Sequence, residues 1–173
     1  MGVMINNEKR NIVYTGKMNE NDTSKIIFFI MNEYRGNNKE PIHLYINSTG
    51  GDAISTLGLV DIISRIDIPI YTYNIGLCYS AAFFLFLAGE KRFTTKHALF
   101  MYHQTMATIM KKKMIEAKES IQIMNNRQQD IEKIIVSRTS IKESELKEVY
   151  ENGKNWFFDS LMALHYGIAT DYF

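Results

Sequence analysis

Apolar residues recur along this chain in two alternating rhythms. IHLYI (42–46) and IYTYNI (70–75) each follow a proline, Pro41 and Pro69. Both are short β-favouring runs, as buried strands are. Between them, AISTLGLVDIISRI (53–66) repeats at helical spacing. Ile54, Leu57, Val60 or Asp61, and Ile63 or Ile66 keep to one face, broken only by Asp61. Residues 42–75 therefore predict a βαβ unit, whose crossover is right-handed.

The alternation continues on both sides. NIVYTG (11–16) predicts a strand closed by glycine. Asn19 to Tyr34 predicts a helix, with Asp22 or Thr23 near its start and IIFFIM as its buried body. An apolar helix follows Ser80 and ends near Gly89. KRFTT (91–95) and ALFMY (98–102) read as strands. A long helix, about 110–136, carries Ile121, Met124, Ile131, Ile134 and Ile135 on its apolar side. Ser140 to Tyr150 is a further helix, with Ser140 and Glu143 at capping-box spacing. FFDSLMALHYGIATDYF closes the chain as a short strand, a helix and an extended piece. Strands alternating with helices make an α/β fold with a largely parallel sheet.

Composition narrows the class. A chain of 173 residues, 46% hydrophobic and 23% charged, is an ordinary folded protein of one domain, 1–173, with 1–10 as a short N-terminal segment. A net charge of +1 argues against a nucleic-acid surface. The single charge run, Lys111-Lys112-Lys113, reads as a solvated helix start. Ala81 to Ala88 is the longest apolar run, far below the ~20 residues of a membrane span. MGVMINNEKR has no apolar core for a signal peptide. One cysteine, Cys78, allows no internal disulfide and fits a reducing, cytoplasmic setting. No metal-ligand spacing of Cys and His occurs, so no metal is expected.

Chemistry is expected where parallel strands end and helices begin. INSTGGD (46–52), GLCYSA (76–81) and HQT (103–105) each follow a predicted strand. If those strands are neighbours, a glycine turn, Ser80 and His103 share one sheet edge. A serine needs an adjacent base to act as a nucleophile. At a strand-to-helix turn it would stand beside the free N–H of Ala81, where developing negative charge is favoured. On spacing alone, however, Ser80 fits a helix cap or a packing residue better, because Gly-x-x-x-Ser is weaker than a Gly-x-Ser-x-Gly elbow. Of four histidines, only His103 ends a β-run at such a junction; His43, His97 and His165 lie elsewhere. Gly50-Gly51 could present N–H groups to an anion, but the P-loop lysine is absent. Cys78, two residues before Ser80, is expected to face the core.

Together INSTGG (46–51), GLCYSA (76–81), MYHQ (101–104) and the closing WFFDSLMALHYGIATD (156–171) resemble the proteolytic subunit of the Clp protease, in order and in register from about residue 11 to 171. The resemblance implies a crotonase-like α/β fold of repeated β-β-α units with a long handle helix. It implies rings of seven, often stacked as fourteen, and serine endopeptidase chemistry in an enclosed chamber. Ser80 is then the nucleophile and His103 its base, with the N–H groups of Gly51 and Ala81 as the oxyanion hole. The third position, usually Asp, is Asn155, whose carbonyl can accept from the imidazole as in Cys-His-Asn enzymes. Asp159, ionised and four residues on, is the rival. The implied partners are further copies of the chain, a paralogous subunit or a Clp-family ATPase, with peptide or unfolded protein as substrate; nucleic acid and membrane are not among them. No cofactor is implied for this chain, since ATP would be used by the ATPase.

Departures from the family pattern set further expectations. Thr49 and Thr105 stand where prolines are usual, and MATIMKKKMIEAKES replaces a glycine-rich segment that binds substrate and touches the opposite ring. The gating loops of the N-terminus are expected to be short or missing. Rival readings are a weak or inactive structural homologue in a mixed ring, a phage-type head-maturation protease of the same fold, and a crotonase-type enzyme acting on acyl-CoA. A Ser and a His both in register favour the peptidase over the last. A signal-peptide-peptidase relative would need a lysine base and an anchor.

Overall fold

The computed structural model describes residues 2–36, 38–104 and 114–173. Thr105, the Lys111–Lys113 run and the stretch 110–113 expected to open the long helix lie outside them. In chain order the elements are β1 (Val3–Asn6), β2 (Asn11–Thr15), α1 (Glu20–Arg35), β3 (Ile42–Ser48), α2 (Ala53–Arg65), β4 (Ile70–Tyr79) and α3 (Ala81–Leu87). Then come β5 (Lys91–Thr94), β6 (Leu99–Tyr102), α4 (Met114–Arg138), α5 (Glu143–Glu151), β7 (Trp156–Phe158), α6 (Ser160–His165) and β8 (Asp171–Tyr172).

The strands form one sheet, ordered β1-β2-β3-β4-β5-β8, with β6 beside β4 and β7 beside β6. Among the described residues, only β1–β2 and β6–β7 are antiparallel. This is the mostly parallel α/β architecture expected, with α4 as its long helix. Strand β4 pairs with β3 on one side and serves two neighbours on the other: Tyr71–Asn74 pair with β5, whereas Leu77–Tyr79 pair with β6. The fork brings β6, and the residues after it, next to the end of β4.

Alternation along the strands builds the core. Ile42, Leu44 and Ile46 of β3 are buried with Ile26 and Ile30 of α1 and Leu57 and Val60 of α2. The intervening side chains stack on the other face, Tyr45 on Tyr73 at 4.5 Å and Tyr73 on Phe93 at 4.9 Å. His43 belongs to this cluster, its Nδ1 2.7 Å from the Tyr73 hydroxyl. At the opposite end, the buried Arg92 donates to the carbonyls of Gly167, Ile168 and Arg138. It thereby satisfies chain ends that lack helical partners.

Four local expectations are corrected. Residues 3–6 are a strand, reversed through Arg10 at φ 52. Asn19, not Asp22 or Thr23, caps α1, its Oδ1 accepting from the Asp22 N–H. Helix α5 starts after Lys142, whose N–H donates to the Glu145 carboxylate; the Ser140 hydroxyl instead donates to the Tyr166 carbonyl. Ile54 and Ile121 are exposed and do not join the buried faces of their helices.

Candidate active site

Three chain turns meet at one edge of the sheet. Ser48 of β3 pairs with Cys78 of β4, and Tyr79 pairs with Met101 of β6. The glycine turn, the serine and the histidine are therefore neighbours, as the sequence required of them. Gly50, at φ 86, lies so close that a Cβ there would sit 2.5 Å from the Tyr79 carbonyl oxygen and 2.7 Å from Ser80 Cβ. Only glycine permits that approach. The Ser48 hydroxyl accepts from the Gly50 N–H and braces the turn.

Ser80 sits between β4 and α3 at φ 55, ψ −119, a conformation rarely adopted by a residue with a side chain. Its N–H is held by the Met101 carbonyl and its carbonyl by the Phe83 N–H. Its hydroxyl makes no capping bond to α3. Instead Oγ lies 2.7 Å from His103 Nε2. The helix-cap reading of Ser80 thus fails on geometry. The seven residues behind it, Ala81–Leu87, are all buried and hold the turn rigid.

Two backbone N–H groups stand beside this pair. Among the described residues, neither the Gly51 nor the Ala81 N–H has a hydrogen-bond acceptor. Gly51 is fixed by its bridge to Met18, since Met18 donates to the Gly50 carbonyl and accepts from the Asp52 N–H. Cys78 is fully buried, and burial pushes its thiol pKa up, so it faces the core.

The third position is less complete. Register pairs Phe158 with Phe100, Phe157 with Met101 and Trp156 with Tyr102. Asn155 and His103 each lie one residue beyond the Trp156–Tyr102 pair, whereas Asp159 follows the other end of β7. Yet Asn155 is exposed, lines a separate cavity of about 240 Å³ with Trp156, and makes no hydrogen bond to His103. Among the described residues His103 Nδ1 has no partner. Asp159 is occupied otherwise: its Oδ1 accepts from the Met162 N–H and caps α6.

Burial lowers the pKa of His103, so the imidazole is neutral and basic near pH 7. A base works only when neutral. Peptide kcat/KM is therefore expected to hold into mildly acidic pH and to fall only below the ordinary imidazole value of about 6.5. An acid limb at or above that value in the pH–rate profile would contradict this.

A cavity of about 280 Å³ opens against Ser80 and His103, walled by Ile54, Phe84, Met124 and Ile131. A larger one, about 590 Å³, lies along α4 by Gln129 and Lys133, but its one hydroxyl among the described lining, Ser137, donates to the Ile134 carbonyl rather than to a base. Among the described residues no His, Cys, Asp and Glu cluster could hold a metal, and no helix is long and apolar enough to cross a membrane. One residue of the smaller cavity, Asp52, went unassigned in the sequence. Its signal was there: an acid directly after Gly50-Gly51, at the start of a helix.

Comparison with known proteins bears on this arrangement. A family model described as Clp protease matches residues 3–171. The ATP-dependent Clp protease proteolytic subunit 2 of Treponema denticola is 27% identical over 163 residues, covering 93% of this chain and 80% of the relative. Subunit 1 of Rhodopirellula baltica is 25% identical, covering 95% and 72%. The proteolytic subunit of Cucumis sativus is 37% identical over 100 residues, covering 56% and 51%.

Proposed function

The chain belongs to the Clp protease family, and on that premise we propose that it is a serine endopeptidase subunit cleaving peptides or unfolded proteins within an oligomeric ring. The observation that carries the reading is the 2.7 Å contact between Ser80 Oγ and His103 Nε2 on a strained turn.

The chemistry follows from the geometry. His103 Nε2 takes the Ser80 proton as Oγ attacks the scissile carbonyl. The carbonyl oxygen becomes an oxyanion and accepts from the Gly51 and Ala81 N–H groups. His103 then gives its proton to the leaving amine, which departs from the acyl-enzyme. Water, deprotonated by His103, releases the acyl product and restores Ser80. Asn155 serves as the positioning residue, its side-chain carbonyl accepting from Nδ1–H once it turns toward the ring. Phe28, Phe157 and Leu161, exposed in the single chain, support burial between subunits of a heptamer or a stacked pair of heptamers. A Clp-family ATPase delivering unfolded chains, or a paralogous subunit in the same ring, completes the assembly.

A fluorescent phosphonate tests the reading. Labelling of the wild type at Ser80, and none in Ser80→Ala, is the expected result. Absence of labelling in monomer and ring alike would favour the second reading, a subunit of little activity in a mixed ring. The position of Asn155, away from His103, is what speaks for that alternative.

A further inference from the structure

The cavity beside Ser80 is apolar on most of its wall but carries one acid. Ile54, Phe84, Met124 and Ile131 supply the apolar surface, and Asp52 is the charged residue among the described lining. Asp52 Oδ1 is committed to the N–H groups of Ile54 and Ser55, where it caps α2. Its Oδ2 has no donor and no cation among the described residues. The carboxylate, on an exposed residue, is thus fixed in place by one oxygen and open through the other.

We infer that Asp52 is a specificity-determining residue that selects a cationic side chain, lysine or arginine, on the substrate residue donating the scissile carbonyl. The assignment rests on the peptidase reading above. Gly51 and Ser80, which would hold that carbonyl, line the same cavity, so the adjacent side chain is the one that enters. Its shape suits such a guest. A volume of about 280 Å³ admits one long side chain rather than the larger ligands of ~300–1,000 Å³ sites. Lysine and arginine combine an apolar stem with a charged head. The stem meets the four apolar walls, and the head meets Oδ2. A neutral stem of equal length gains only the first contact. A glutamate brings its carboxylate against another.

Acetylated pentapeptides that differ only at the central residue test this by binding to Ser80→Ala, in which no chemistry occurs. Acetylation removes the other ammonium. Lysine and arginine peptides are expected to bind about two- to fivefold more tightly than the norleucine peptide, as an exposed ion pair would give, and the glutamate peptide most weakly. Adding Asp52→Asn, which keeps the capping oxygen, should erase the preference while the norleucine peptide binds as before. Equal binding of lysine and norleucine peptides, a preference untouched by Asp52→Asn, or no binding of any peptide would overturn the assignment. Turnover of the lysine peptide by the wild type is a separate readout, and its failure would count against the peptidase reading alone.

Discussion

Ser80→Gly is expected to reduce peptide turnover to background, a loss on the order of 10⁴-fold or more, and yet to fold more stably than Ser80→Ala. Both variants lose the hydroxyl and its contact with His103. Only glycine also relieves the backbone, which at φ 55 and ψ −119 holds a side chain where few reside. Such strain costs about 1–3 kcal/mol. Glycine gives back part of this, about 0.5–1 kcal/mol, through its freer unfolded chain. A net gain near 1 kcal/mol corresponds to a melting temperature about 2–4 °C above that of Ser80→Ala. Calorimetry on the two variants, with a fluorogenic peptide for turnover, reads both effects. Equal melting temperatures would mean that the turn is not strained; residual turnover would mean that Ser80 is not the nucleophile.

The second large effect is a gain. Asn155→Asp is expected to raise kcat/KM by about 10²- to 10⁴-fold, because a carboxylate fixes the Nδ1–H tautomer and stabilises the imidazolium far better than an amide does. The same change alters the pH profile. Burial alone now lowers the pKa of His103; an adjacent negative charge would raise it. The acid limb of kcat/KM should therefore move to higher pH as activity at neutral pH climbs. Asp159→Ala is the control. Removing the cap of α6 should cost about 0.5–2 kcal/mol of stability with turnover per folded subunit unchanged. Should Asp159→Ala abolish turnover while Asn155→Asp leaves both rate and profile alone, Asp159 is the orienting group.

The elements that place the site were legible because each has a strong local cause. Pro41 and Pro69 mark the strand entries, Gly50-Gly51 marks a turn, and a run of seven buried apolar residues follows Ser80. What sequence missed lies where local signals are weak or shared. β1 is a half-exposed edge strand of four residues, with only Val3 and Ile5 facing inward, too short for a period to stand out. Helix starts rich in Asn, Asp, Ser and Thr offer several caps, and tertiary contacts choose among them; Ser140 is drawn to Tyr166 and so leaves α5 uncapped by its hydroxyl. Ile54 and Ile121 keep helical spacing but overhang the buried face, and Ile54 lies over the cavity by Ser80. Asp52 looked like turn chemistry, because only the fold puts it beside the reacting serine. That His103 and Asn155 follow adjoining strand ends comes from the β6–β7 register, which no local pattern encodes.

That register has an evolutionary consequence. The chain leaves the sheet just after β6 and rejoins it at β7, having run through α4 and α5 on the way. His103 and Asn155 stand at the two ends of this excursion, each one residue beyond the last of the three β6–β7 pairs. Closing a longer loop costs only about 0.6 kcal/mol for each doubling of its length. Change is therefore cheapest in the exposed residues of the excursion, because Ile131, Ile135, Ile141 and Leu146 within it are buried in the core. A lineage can rework how its subunits assemble and what they admit while inheriting the same few strands of chemistry.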